Sequence, residues 1–79
     1  MRVTVKVRPK AGVLDPQGAA VRDALRHLGF DVDDVRVGRL LDLEVANGDV
    51  EAARDAAERM CEQLLANALI ETYEVEVTA

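Results

Sequence analysis

The chain has 79 residues, a formal net charge of −5, one cysteine and one histidine. This length suits a single domain over residues 1–79, and the cysteine count excludes an intrachain disulfide and leaves too few ligands for a structural metal cluster. An acidic chain with two aromatic residues is a poor match for nucleic acid, and no apolar run approaches the ~20 residues of a membrane-spanning helix. Since small domains without such cross-links often gain stability by associating, we expect a cytoplasmic homodimer or higher oligomer.

The first strand and the first helix are marked by two different patterns. Residues 1–8 alternate between apolar and polar side chains, which is typical of a half-buried strand. Asp15 and Pro16 suit a helix start, because the carboxylate accepts from free amides and proline has no N–H to satisfy. Apolar residues then recur at helical spacing, and Gly29 suits the left-handed position that ends a helix.

The middle of the chain predicts a β-hairpin between two alternating segments, residues 32–37 and 41–45. The inward-facing residues on both sides have odd numbers, so the connecting loop should hold three residues, 38–40. Val37 would then lie opposite Leu41, and a leucine would stand exposed at the hairpin tip.

The second half predicts another helix and a last strand. Residues 47–49 form a turn that caps the helix, whose apolar stripe runs to residue 65, and residues 73–77 alternate again. The order β-α-β-β-α-β predicts a two-layer α+β fold of the ferredoxin-like (split βαβ) type. Both helices would cover one face of a four-stranded, antiparallel-type sheet, and the last strand would lie antiparallel beside the first.

The sheet face without helices should be charged. Lys6 and Arg8 on the first strand would meet Glu74 and Glu76 on the last. Two interpretations remain open for this face: a solvated surface, or a polar interface with a second copy or with other proteins.

No residue set predicts catalysis or cofactor binding. Cys61 lies on an apolar stripe and is expected to be a buried structural thiol, while His27 falls on a polar helix side. The loop before the first helix lacks the phosphate-binding Walker spacing. An acylphosphatase-like hydrolase is also a poor match, because Arg8 lies only at the edge of that loop. A ferredoxin-like dimer that senses a small molecule remains an alternative.

Three strings carry a resemblance to a known family. They are residues 13–18 (Val-Leu-Asp-Pro-Gln-Gly), residues 35–39 (Val-Arg-Val-Gly-Arg), and residues 60–67 followed by Ile-Glu-Thr-Tyr at 70–73. In this order and at these separations they resemble the PurS family, small subunits of phosphoribosylformylglycinamidine synthase. The resemblance extends from Lys10 to Val77.

The resemblance implies a non-catalytic subunit in purine synthesis. The enzyme complex is an ATP-dependent C–N ligase with glutamine as amide donor, and it converts formylglycinamide ribonucleotide to formylglycinamidine ribonucleotide. In that family the PurQ glutaminase releases ammonia, the PurL synthetase uses ATP and Mg, and PurS bridges the two and assists ammonia transfer. This chain itself would bind no cofactor.

Partner docking is therefore the function we expect of individual residues. The hairpin tip, the arginine before it and the loop after the first strand are the candidates: Lys10, Asp15, Gln17, Arg36, Gly38, Arg39 and Leu40.

Overall fold

The computed structural model describes residues 1–46 and 48–78. The elements follow in the order β1 (Arg2–Pro9), α1 (Pro16–His27), β2 (Arg39–Glu44), α2 (Val50–Met60) and β3 (Glu71–Thr78), with a π-helical turn, Cys61–Leu65, continuing α2. Asn47, in the predicted turn before α2, lies outside the described residues. Within those residues no helix has the length and apolarity to cross a membrane.

The sheet has β1 at its centre, with β2 and β3 antiparallel on its two sides. Val3, Val5 and Val7 are fully buried on one face of the sheet, so the apolar side of β1 lies at the middle of the core. The predicted pairing of the last strand with the first is confirmed, with Val5 opposite Val75.

The predicted four-stranded sheet is wrong, because the described chain forms three strands and residues 32–38 belong to none. The N–H of Val37 donates to Asp15 Oδ2 at 2.8 Å rather than to a neighbouring strand. Leu41, the expected partner of Val37, pairs with Val5 instead. The hairpin therefore does not form, because β2 pairs with β1. The segment before β2, residues 32–38, is instead hydrogen-bonded to Asp15 in the loop before α1.

Helix α2 covers the sheet over β1 and β3. Asp49 caps its start by accepting from the Glu51 N–H, and Ala53, Ala57 and Cys61 are fully buried beneath it. These small side chains allow a close approach to the valines of β1. The π-helical turn that follows contains one residue more than an α-helical turn, because the Ala66 N–H donates to the Cys61 carbonyl, five residues earlier, at 3.0 Å.

Helix α1 begins and ends as its sequence predicts. Asp15 Oδ1 accepts from the Gly18 N–H at 3.0 Å, and Pro16 occupies the first helical position. At the other end Gly29 adopts φ +98°, and the Phe30 N–H donates to the Leu25 carbonyl at 3.0 Å. That bond closes the helix in a Schellman motif.

The prediction that both helices cover the sheet is also wrong, because α1 does not pack broadly on it. Gly18 is the buried residue of this helix, whereas Leu28 and Phe30 at its end are 71% and 60% exposed. The chain measures 48 × 25 × 14 Å with a radius of gyration of 15.7 Å. A compact domain of this length would have a radius of about 12 Å, so the single chain is elongated.

Candidate functional site

Positive charge collects at the end of the sheet where β1 ends and β2 begins. A shallow cavity of about 400 Å³ lies there. It is lined by Lys6, Val7, Arg8, Pro9, Arg36, Gly38, Arg39 and Leu40. We call the four cationic side chains of this lining, together with Leu40, the basic corner. Four of the ten Lys and Arg residues of an acidic chain meet here, and no carboxylate among the described residues lines the cavity.

Two cations of the basic corner come from the polar side of β1. Lys6 Nζ pairs with Glu76 Oε1 at 2.9 Å, and Arg8 Nη1 pairs with Glu74 Oε1 at 3.0 Å. These pairs confirm the predicted match between the outer charges of the first and last strands. Arg8 and Glu74 are both more than half exposed, so their pair contributes at most ~1 kcal/mol to stability. Their charges remain available to other groups.

Arg36 is held in the basic corner by backbone atoms. Its Nη2 donates to the Lys10 carbonyl at 2.7 Å, and the Lys10 N–H in turn donates to the Ile70 carbonyl at 2.8 Å. In the described part of the chain no carboxylate lies within ion-pair distance of Arg36. Its guanidinium therefore carries the least neutralised positive charge of the site.

Asp15 joins α1 to the segment that carries Arg36. Its two carboxylate oxygens accept from the N–H groups of Gly18 and Val37. The bond from Gly18 first, then that from Val37 and the nearby charge of Arg36, lower the pKa of Asp15 below its ordinary value. Asp15 thus acts as a fixed, ionised tether behind the basic corner.

Arg39 and Glu71 form a clamp between the start of β2 and the start of β3. Arg39 Nη1 lies 2.8 Å from Glu71 Oε2, and Nη2 lies 3.1 Å from Oε1 and 2.6 Å from the Leu65 carbonyl. Glu71 Oε1 also accepts from the Asn67 N–H at 2.8 Å. These bonds, with the Arg39 bond foremost, lower the pKa of Glu71, whose side chain is only 15% exposed.

Glu71 is the residue that the sequence reasoning missed. A signal was present: Glu71 has the same parity as Tyr73, Val75 and Val77, the inward-facing residues of β3. A carboxylate on the apolar phase of a strand indicates a fixed partner, because an unpaired buried charge is costly. Arg39 is that partner.

The structure brings most of the predicted docking residues together. Arg36, Gly38, Arg39 and Leu40 line the cavity, while Lys10 and Asp15 support Arg36 from behind. Gln17 is exposed in the first turn of α1 and does not line it.

Leu40 is not at a hairpin tip. It lies in β2 opposite Lys6, on the polar side of the sheet, and is 59% exposed. Gly38 sits against β1, where a Cβ atom would lie 2.3 Å from the Val7 carbonyl oxygen. Their docking role stays a prediction.

The reactive side chains lie apart from the basic corner. Cys61 is fully buried, as predicted, and burial raises the pKa of its thiol, with Glu58 and Glu62 adding to the effect. His27 is exposed at the end of α1. Within residues 1–46 and 48–78, no three His, Cys, Asp or Glu side chains group closely enough to hold a metal ion.

Comparison with known proteins assigns the chain to a family. Residues 2–79 match the family model PurS, described as phosphoribosylformylglycinamidine (FGAM) synthase. The chain is 44% identical to the PurS subunit of that synthase from Synechocystis, over 99% of this chain and 77% of the relative. It is likewise 44% identical to the Bacillus subtilis subunit, over 96% and 90%.

Solved structures agree. Bacillus subtilis PurS superposes with a TM-score of 0.86 at 41% identity, covering 99% of this chain and 98% of that one. A chain of the PurLQS structure from Thermotoga maritima gives 0.86 at 33% identity, covering 95% and 93%. This chain therefore belongs to the PurS family, the small subunits of FGAM synthase in purine biosynthesis.

Proposed function

We propose that this chain bridges a PurQ glutaminase and a PurL synthetase in the cytoplasm and assists the passage of ammonia between them. The assembled enzyme would convert formylglycinamide ribonucleotide, glutamine and ATP to formylglycinamidine ribonucleotide. The observation that carries the proposal is a Thermotoga maritima relative of the same fold that was solved within a PurLQS assembly.

In this proposal the chain contributes surfaces and no catalytic groups. ATP, Mg and glutamine serve the other two subunits. The fully buried Cys61 and the shallow form of the basic corner support this division, because catalysis favours accessible reactive groups in enclosed sites. Ammonia needs shielding from water during transfer, which closely fitted subunit surfaces supply.

A homodimer is part of the proposal, and the exposed side of α1 supports it. Val21, Leu28 and Phe30 are exposed on or just after this helix, while α2 packs on β1 and β3. The inward residues Leu41 and Leu43 of β2 are half-buried. Each chain thus offers an uncovered apolar helix and a partly covered apolar strand, which a second copy could match reciprocally.

Reconstitution of the synthase tests the function. With this chain, PurL and PurQ from the same organism, glutamine-dependent synthesis should require all three proteins, whereas high ammonia should support PurL alone. Full glutamine-driven turnover without this chain would rule out the bridging role.

The docking surface has its own test in Leu40. Leu40→Asp should raise the dissociation constant for the assembly about tenfold, corresponding to ~1.4 kcal/mol, because it places a desolvated charge in the interface. Leu40→Met keeps an apolar side chain of similar size and should assemble as the wild type does. Identical affinities for the two variants in analytical ultracentrifugation would contradict a docking role for this residue.

A further inference from the structure

The composition of the basic corner indicates which chemical group it receives. We propose that it binds a carboxylate-bearing segment of an adjoining subunit, with Arg36 and Arg8 as the binding residues and Leu40 as an apolar contact beside them. This inference rests on the proposed bridging function and adds to it the chemistry of the contact. In a chain of net charge −5, four cations line this cavity, no carboxylate among the described residues lines it, and Arg36 has no ion-pair partner there, so the cavity favours a negatively charged group.

Arg36 has free hydrogen-bonding capacity. A guanidinium group carries five N–H donors, and the bond from Nη2 to the Lys10 carbonyl uses one of them. That bond also orients the guanidinium, so part of the side-chain entropy that binding a carboxylate would cost is already lost.

Lys6 and Arg8 can exchange their present ion pairs for a carboxylate of another subunit with little loss of free energy. Their present partners, Glu76 and Glu74, are mostly exposed and do not line the cavity. Exposed pairs of this kind contribute ~0–1 kcal/mol, whereas a carboxylate bound by arginine in a dehydrated interface is held far more strongly. Arg39 differs, because the Glu71 clamp already engages both of its terminal nitrogens.

The surroundings favour a protein segment over a small anion. The cavity is shallow, and Pro9 and the exposed Leu40 place apolar surface next to the cations. Small-molecule sites instead enclose most of their ligand. Phosphate groups often bind at helix N-termini, but the carboxylate of Asp15 already occupies that position on α1.

The test measures assembly with PurL and PurQ for Arg8→Gln/Arg36→Gln in the full-length chain. The double variant should weaken binding at least about tenfold at low salt and flatten the dependence of affinity on NaCl between about 50 and about 300 mM. Arg36→Lys keeps the charge and should recover part of the loss. Arg2→Gln/Arg59→Gln is the matched control, since it also removes two positive charges, from exposed positions outside the basic corner, and should stay within about twofold of the wild type.

A zero-length carbodiimide cross-link supplies a direct readout, because it joins an amine only to a carboxylate in contact with it. Besides the intrachain link expected from its ion pair with Glu76, Lys6 should be found by mass spectrometry in an amide bond with an Asp or Glu of PurL or PurQ; a link to Glu76 alone in the assembled complex would count against the contact. If the wild-type chain assembles and the double variant assembles equally well, the carboxylate contact is refuted while the bridging function stands. Binding of inorganic phosphate to the isolated chain with unchanged assembly of the double variant would also refute it, in favour of a small-anion site. If the wild-type chain joins neither subunit, both proposals fall.

Discussion

Substitution of Glu71 by Gln tests whether the Arg39–Glu71 clamp stabilises the fold. The carboxylate takes part in two bonds from Arg39 and one from the Asn67 N–H, and its side chain is 15% exposed. Glutamine keeps the shape but removes the charge and turns an amide donor toward a guanidinium group that can only donate.

The expected loss follows from the number and environment of these bonds. Hydrogen bonds to charged groups contribute ~1.5–3 kcal/mol, and the 51% exposure of Arg39 places this pair toward the lower end. We expect the free energy of unfolding to fall by about 1–2 kcal/mol, which for a domain of this size lowers Tm by roughly 5–15 °C. Tm should be compared at one protein concentration, because association shifts it.

The pH dependence supplies the second part of the test. The Arg39 bond lowers the pKa of Glu71 in the folded chain from its ordinary value of 4.5. The stabilisation is therefore present above that value and lost as the pH falls through the lower, folded value. The difference in unfolding free energy between the wild type and Glu71→Gln should accordingly shrink on acidification below about pH 4.

Glu74→Gln is the matched control, because it removes an equally charged side chain from a mostly exposed pair with Arg8. It should cost less than about 0.5 kcal/mol at neutral pH. Equal destabilisation by the two variants, or a Glu71→Gln deficit that stays constant down to pH 3, would refute the clamp.

Two further substitutions probe the packing of the chain. Gly18→Ala should destabilise it by about 2 kcal/mol or more, because the new Cβ atom would lie 2.1 Å from the Val35 carbonyl oxygen. Gly48→Ala, where nothing lies within 4 Å, is its control, and equal Tm values for the two variants in a thermal melt would contradict the close contact. The thiol of Cys61, buried and with a raised pKa, should react with a disulfide reagent at least about tenfold more slowly in the native chain than in urea. Equal reaction rates would show that the thiol is accessible.

The predicted hairpin was wrong because two pairings satisfy the same alternation. Alternation determines which face of a strand a residue occupies, and it requires inward residues of equal parity to meet. The observed pairing of Leu41 with Val5 satisfies that rule as well as the predicted pairing with Val37. Parity alone could not choose between them, and the sequence-adjacent partner was the wrong choice.

The candidate site was likewise predicted only in part. Arg36 was selected because it falls in a string of the family, and Leu40 because an exposed leucine was expected at the hairpin tip; the structure places both in the lining of the basic corner. The roles of Arg39 and Asp15 were not predictable in this way, since their partners Glu71 and Val37 lie 32 and 22 residues away.

What the sequence determined by itself is local: three of the four expected strands, the Asp15 cap, the Gly29 helix end and the family. These follow from contacts within a few residues or from strings read in order. Tertiary structure alone decided that β1 lies at the centre of a three-stranded sheet and that α1 packs little against this sheet. It also decided that four cations line one cavity. The physical reason is that pairing between distant segments depends on competition among all apolar and polar partners at once, which no local pattern records.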